Sequence, residues 1–224
     1  MKKVMVFLLI FAFFAPYCRA EGEQITYRRI PEAQMKIALT FDDGPHPYYT
    51  EKILEILKKY DIKATFFFVG QNIVNYPQAA EAVYKAGHEI GNHTYTHHRL
   101  RSMEYSELLW ELERCDDAIY EINEYRPHLF RPPEGAFNTD LEKTALMLDY
   151  SIILWSIDTR DWEHRSPEKI LEHVTGKVKG GDIILMHDYI GVNSPTPEAL
   201  ELIIPALLEK GYSFVTVSEL MKAK

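Results

Sequence analysis

Two adjacent carboxylates, Asp42 and Asp43, stand between the apolar run Lys36-Ile37-Ala38-Leu39-Thr40-Phe41 and the turn pair Gly44-Pro45. A β-leaning run ahead and a Gly-Pro break behind place both acids at the C-terminal end of a strand. Neighbouring carboxylates repel unless a cation, a metal ion or an arginine, sits beside them. Further on, His93-Thr94-Tyr95-Thr96-His97 sets two imidazoles four residues apart. One turn of helix would point both the same way, and such spacing suits metal ligation by neutral ring nitrogens. Joined by Asp42 or Asp43, the pair makes a two-histidine, one-carboxylate set that leaves coordination positions open for water and substrate. Taken singly, each motif is equally an ordinary polar turn or a pair of surface histidines.

The elements that must bring these groups together follow in steady alternation. After the first strand, Thr50–Tyr60 predicts a helix with Ile53, Ile56, Leu57 and Tyr60 on one face. Ala64–Val69 is a continuous apolar strand of the kind buried on both sides. Pro77 opens a second helix and Gly87 closes it, and His88–Gly91 is a short third strand. A helix from Glu104 to Glu121 carries Leu108, Leu112, Cys115, Ile119 and Ile122 on one stripe, which makes Cys115 a core residue. Leu129–Arg131 is the fourth strand, Thr139–Leu148 a helix, and Ser151–Trp155 the fifth strand. Ser166-Pro167-Glu168 starts a helix that Gly180 ends. Asp182–Met186, a helix over Pro197–Lys210, and Ser213–Val217 complete the pattern. Seven strands alternating with helices imply an α/β fold with a parallel sheet, closed as a barrel or open and doubly wound. In a βα barrel the reactive groups gather on the loops after the strands. Asp42 and Asp43, His93 and His97, Arg131, Asp158 and Asp161, and His187 and Asp188 all fall there.

At 224 residues the chain suits one large domain, and neither an internal repeat nor a linker divides it. Residues 1–20 stand apart: Lys2 and Lys3, the apolar run Val4–Ala15, Pro16 and the small Ala20 have the layout of a secretory signal peptide, too short in its apolar part to span a bilayer. Residues 21–34 read as a polar connector and 35–224 as a single domain. Loss of the leader removes Lys2, Lys3 and Arg19 and no acid, so the formal charge moves from −8 to −11. An acidic protein is a poor partner for nucleic acid or anionic membranes. Without Cys18 only Cys115 remains, so no internal disulfide forms. The expectation is an exported monomer of the cell envelope or exterior, without stable membrane insertion.

Thr40-Phe41-Asp42-Asp43-Gly44, His93-Thr94-x-x-His97, Arg131-Pro132-Pro133-x-Gly135, Asp158-x-x-Asp161-Trp162 and Leu185-x-His187 occur in that order. Together they resemble the five motifs of the polysaccharide deacetylases of the NodB-homology type, carbohydrate esterase family four, from about Lys36 to the C-terminal end. The resemblance implies that family's distorted (β/α)7 barrel and removal of acetyl from an N-acetylated amino sugar in peptidoglycan or a chitin-like polymer. By the same likeness Asp43, His93 and His97 hold one divalent metal ion, zinc first among several (cobalt, nickel, manganese). Asp42 is the general base, His187 the general acid, Arg131 holds Asp42, and Asp161 orients His187. A backbone N–H just after Asp43 or in the turn Pro133–Gly135 would complete an oxyanion site. Pro133, Glu134, Gly135, Trp162 and Leu185 are the expected substrate contacts, Leu185 as the wall behind the acetyl methyl.

Glu134 departs from the pattern, because many relatives carry an aromatic there; the change bears on substrate choice more than on catalysis. Asp158 is expected in a supporting or turn role. His46, His88, His98, His128, His164 and His173 are expected as surface or turn histidines, and Arg131→Ala is expected to alter stability little compared with activity, although a buried Asp42 left unpaired would also loosen the loop. Two other classes fit part of the pattern. A non-haem iron oxygenase shares the two-histidine, one-carboxylate set, but leaves the paired acids, Arg131 and His187 unused. A catalytically dead carbohydrate-binding domain would not need every acid, base and ligand to be present.

Overall fold

The computed structural model describes residues 24–100, 103–136 and 138–223, so the expected leader Met1–Ala20 with Cys18 lies outside the described residues. One strand, β2 (Lys36–Asp42), organises the fold, and six of its seven residues are buried. It pairs in parallel with β3 (Thr65–Phe68) on one side and β8 (Ile183–His187) on the other. The registers set Asp42 opposite both Phe67 and His187. All four residues of β3 are buried, as a parallel strand covered on both faces requires.

Beyond β3 the sheet continues through β4 (Glu89–Asn92), β5 (Leu129–Phe130) and β6 (Ser151–Ile153), every pair parallel. Beyond β8 it ends at β7 (Ile157–Asp158). β6 and β7 are the two halves of the expected fifth strand. The chain leaves the ladder at Leu154–Ser156 and rejoins it at the opposite edge of the sheet. That crossing curls the sheet into the distorted (β/α)7 barrel, and it leaves a seam that regular pairing does not fill. Away from that seam, β9 (Ser213–Phe214) pairs only with the first two residues of β2.

The helices pack outside: α1 (Tyr49–Lys59), α2 (Gly70–Asn75), α3 (Pro77–Lys85), α4 (Tyr105–Asn123), α5 (Thr139–Met147), α6 (Pro167–Thr175), α7 (Thr196–Glu209) and α8 (Val217–Met221). α4 buries Leu108, Leu112, Cys115 and Ile119, the stripe its periodicity gave. Cys115 is fully buried with its thiol against the Phe68 carbonyl, and burial pushes its pKa up, so it is a core residue as expected. α6 stops at Thr175, ahead of the expected Gly180. Gly180 and Gly181 instead press against the backbone of Gln34 and Ile30, where a Cβ would meet a carbonyl oxygen at 1.0 and 1.9 Å.

That close approach corrects the reading of residues 21–34 as a polar connector. From residue 24 onward this segment belongs to the fold. β1 (Thr26–Tyr27) pairs with β6, and Ile25, Tyr27, Ile30 and Ala33 are buried in the core. The strand is two residues long and flanked by charge, so neither its period nor its composition stands out. No helix among the described residues is long and apolar enough to cross a membrane.

Candidate active site

β2 delivers Asp42 in extended backbone, buried to 3% exposure. Asp43 then turns into the left-handed region at φ 70°, so its side chain leaves the strand in a different direction from its neighbour's. Adjacent acids thereby acquire different partners. Asp42 Oδ1 accepts a 2.7 Å hydrogen bond from Arg131 Nη1, a charge-assisted contact. Asp43 Oδ1 faces His97 Nε2 at 3.1 Å and His93 Nε2 at 3.4 Å.

Arg131 fills the seam of the barrel. Its Nε and Nη2 donate to the carbonyls of Ile153 and Leu154, where β6 leaves the ladder, at 3.0 and 3.2 Å. Nη1 also donates to Thr40 Oγ1 at 2.7 Å, and the guanidinium lies 4.2 Å over the Phe67 ring. The side chain is fully buried, so the same cation ties off carbonyls that strand pairing left open and fixes the Asp42 carboxylate.

The two histidines are not carried on a helix, contrary to the expectation from their spacing. Residues 93–98 form an irregular turn in which Thr94 and His97 both have positive φ (67° and 59°). Folding the turn back on itself brings the rings to a 5.0 Å centroid separation. His93 Nδ1 is 2.6 Å from the Arg131 carbonyl, which fixes a proton on Nδ1 and turns Nε2 toward the acids. One ligand atom each from Asp43, His93 and His97 lies within 4.8 Å of the other two. Asp43 Oδ1 is buried with no hydrogen bond to satisfy it. Burial opposes ionisation of Asp43, but the two imidazoles outweigh it and hold the carboxyl well below the usual range. A buried, unsatisfied carboxylate oxygen between two imidazole nitrogens is the donor set a divalent cation takes, and the residues present fit one.

Across the cleft, the Nδ1 of His187 is hydrogen-bonded to Asp161 Oδ1 at 2.8 Å. Asp161 is fully buried, and its second oxygen accepts from the His187 amide (2.7 Å) and the Thr196 hydroxyl (2.8 Å). Burial alone would lower the proton affinity of His187. The hydrogen bond and charge of Asp161, with Asp43 and Asp42 beyond, outweigh it and push the pKa up to about 9. Nε2 is left to point into the cleft.

These groups open onto one cleft of about 440 Å³ lined by Asp42, Asp43, His93, His97, Glu134, Trp155, Asp158, Trp162, Leu185 and His187. Eight of the expected site residues therefore share a wall. Arg131 and Asp161 stand behind it, each hydrogen-bonded to a residue that lines it. Pro133 is buried, and Gly135 packs at its α-carbon against Trp155 while its N–H donates to the Pro132 carbonyl, so that amide is already committed. Glu134 occupies the left-handed region at φ 56° and pairs with Arg99 at 3.0 Å on the rim. Asp158 accepts the Arg160 amide at 2.8 Å, the turn role expected, although it also reaches the cleft.

Two residues, Trp155 and Thr196, went unforeseen, and Asp188, placed among the polar groups after its strand, had been given no role. Trp155 lines the cleft because it sits where the chain crosses the seam, a break that its strand-like sequence does not announce. Thr196 supports Asp161 from the far side of the fold. Asp188 is fully buried, and burial raises its pKa to about 7 against the opposing Thr50 hydroxyl bond. Its Oδ2 lies so close to Gly44 that a Cβ there would meet it at 1.9 Å, which is why glycine follows the two acids. His46 is a turn histidine as expected, accepting the Tyr48 and Tyr49 amides at the start of α1. His88 is not: it is buried, its Nδ1 accepts the Ala64 amide, and burial lowers its pKa to about 4.

Comparison with known proteins gives consistent likenesses. Residues 29–153 match the family described as polysaccharide deacetylase. A peptidoglycan-N-acetylglucosamine deacetylase of Bacillus cereus is 42% identical over 87% of this chain and 92% of its own length. The crystal structure of a peptidoglycan N-acetylglucosamine deacetylase in complex with 4-naphthalen-1-yl-N-oxidanyl-benzamide superposes with a TM-score of 0.85 at 35% identity, over 88% of this chain and 92% of that one. The wild-type structure of a CE4 family pseudoenzyme from Bacillus anthracis superposes nearly as well, at a TM-score of 0.83 and 32% identity over 88% of this chain and 69% of that one. The scaffold is thus shared by active and inactive proteins, and side chains must decide between them.

Proposed function

The chain belongs to the polysaccharide deacetylase family, hydrolases of non-peptide carbon–nitrogen bonds, and we propose that it removes the N-acetyl group from amino sugars of peptidoglycan as an exported, zinc-dependent enzyme. The observation that carries this reading is the convergence of three units on one cleft: the Asp43–His93–His97 donor set, the Asp42–Arg131 pair and the His187–Asp161 pair. A dead binding scaffold would not need all three.

A divalent cation on Asp43, His93 and His97 supplies Lewis acidity and brings the pKa of water toward neutrality. The rest is the work of this chain. Asp42 takes the proton of the attacking water through the carboxylate oxygen that Arg131 leaves free, Oδ2, which lies 3.7 Å from His93 Nε2. Attack on the acetamide carbon places negative charge on the carbonyl oxygen. Since the Gly135 amide is occupied, the Gly44 and Glu134 amides are the backbone donors to be tested for the oxyanion. His187, protonated at neutral pH and aimed by Asp161, gives its Nε2 proton to the leaving nitrogen as the C–N bond breaks. The products are acetate and the free amine. Leu185 and Trp155 wall the acetyl group from water, and Trp162, 47% exposed, offers a ring at the mouth to the flanking sugar.

In this reading residues 1–20 export the chain, residues 24–223 act as one folded unit, and the acidic surface suits an envelope enzyme that acts on glycan rather than nucleic acid. We take the ion as zinc, which a two-histidine, one-carboxylate set with open positions suits; the same donors also accommodate cobalt, nickel or manganese. The test is acetate release from purified glycan strands and from chitooligosaccharides, with metal content measured on the same samples. Release that stops on chelation and returns with Zn²⁺ supports the assignment. Oxygen consumption with Fe²⁺ and no acetate would replace it with the oxygenase.

A further inference from the structure

Every amide from His93 to His97 has a hydrogen-bond partner, and one of those partners is a buried carboxylate on a different element. The His93 amide donates to the Phe68 carbonyl and the Thr94 amide to Asn92 Oδ1. The His97 amide donates to Thr94 Oγ1. On the opposite side, the Gly70 and Gln71 amides donate to the carbonyls of Thr94 and Tyr95 at 3.0 and 2.9 Å. The two remaining amides, Tyr95 and Thr96, both donate to Glu111 Oε2 at 2.8 Å. Glu111 Oε1 accepts the Thr96 hydroxyl. Glu111 is 4% exposed in the middle of α4, and among the described residues no cation pairs with it.

A buried carboxylate without a counter-ion is expensive to keep. One that accepts three hydrogen bonds from a single turn has a use for its position. Thr94 and His97 hold left-handed backbone that non-glycine residues rarely adopt and that persists only where the surroundings over-determine it. His93 has its ring fixed by the Arg131 carbonyl. His97, 36% exposed at the side chain, has its Nε2 against Asp43 and takes its place from the backbone of the turn.

We infer that Glu111 is a positioning residue for the metal centre: by clamping the Tyr95 and Thr96 amides it sets where His97 Nε2 stands relative to His93 Nε2 and Asp43. This rests on the ligand set assigned above. It concerns hydrogen-bond geometry rather than charge, so glutamine and aspartate separate its parts. Glutamine can place its oxygen on the two amides and turn its NH₂ to the Thr96 hydroxyl. Aspartate keeps the charge but stops one methylene short.

The experiment titrates metal-free protein with Zn²⁺ against a chromophoric chelator. The melting temperature of the metal-free form and the visible spectrum of the Co²⁺ form are recorded beside it. E111A is expected to weaken zinc about 10–100-fold, the range typical of groups that orient ligands, and to alter the cobalt spectrum. E111Q should stay within threefold of wild type, and E113A, an exposed carboxylate on the same helix, should match it. If E111A does not fold, E111D carries the test and should lose affinity as E111A would. A folded E111A or E111D with wild-type zinc affinity and only a lowered melting temperature would overturn the inference and leave the ligand set intact. So would an E111Q as weak as E111A. A wild-type protein that takes up no divalent metal would overturn the ligand assignment and this inference with it.

Discussion

Replacing Asp161 with asparagine tests whether His187 owes its proton to that one carboxylate. His187 carries a pKa of about 9 against an ordinary 6.5; burial acts downward and Asp161 supplies most of the opposing pull through a 2.8 Å hydrogen bond and its charge. Each pH unit is worth about 1.4 kcal/mol, so removing the charge withdraws roughly 3 kcal/mol of proton affinity and returns the imidazole toward 6.5. At pH 8 a group of pKa 9 is about 90% protonated and one of pKa 6.5 about 3%. The variant should therefore lose about 30-fold in kcat/KM at pH 8, yet less than twofold from this cause at pH 6. The alkaline limb should move down by more than two pH units. A bound cation lowers the limb of both proteins, so the difference between them is the quantity to read.

Stability follows the same linkage with a definite sign. A histidine whose folded pKa is raised contributes stability that is fully present below pH 6.5 and is lost as pH rises through 9. Wild-type melting temperature should fall across that window and D161N should not share the slope. The new amide would also set a donor against the His187 N–H that Asp161 Oδ2 now accepts, a separate cost of about 1–3 kcal/mol at all pH values. A kcat/KM loss equal at pH 6 and pH 8, or an unmoved alkaline limb, would refute the assignment of His187 as the acid poised by Asp161.

Three further outcomes follow from the same geometry. His93→Ala should abolish metal retention and acetate release together, whereas His187→Ala should retain the metal and lose turnover; metal content and acetate assay on both variants check this, and equal metal loss would count against the division of roles. Arg131→Ala should unfold the barrel more easily by about 3–5 kcal/mol in denaturant titration, because Asp42 and the Ile153 and Leu154 carbonyls are left buried without their cation. Sequence alone weighed a small effect against loosening by an unpaired Asp42, and the full burial of Arg131 favours the larger loss. Glu134→Tyr should lower KM for chitooligosaccharides by a few fold with kcat nearly unchanged, as a ring at the rim adds sugar stacking; an unchanged KM would place the flanking sugar elsewhere.

The seven-strand alternation, the α4 core stripe and the five motifs were legible because each depends on neighbours a few residues apart, where periodicity and turn chemistry act. So was the presence of a two-histidine, one-carboxylate set. What the set does depended on contacts that no spacing encodes. Which acid meets the histidines was decided by Asp43 turning to positive φ while Asp42 stayed in the strand. The helix expected at His93–His97 proved to be a turn, because Asn92, the α2 amides and Glu111 jointly outbid local helix formation. The split of the fifth strand, and with it Trp155 in the cleft and Arg131 in the seam, came from closing a short sheet on itself. β1 and the buried His88 were hidden for a related reason: a two-residue pairing and a histidine tucked against the Ala64 amide and Phe66 ring of the neighbouring strand leave no period to read. Residue types and their order along the chain determined which chemistry is available here; long-range packing decided which atoms face one another, because burial and hydrogen-bond direction are properties of the assembled fold.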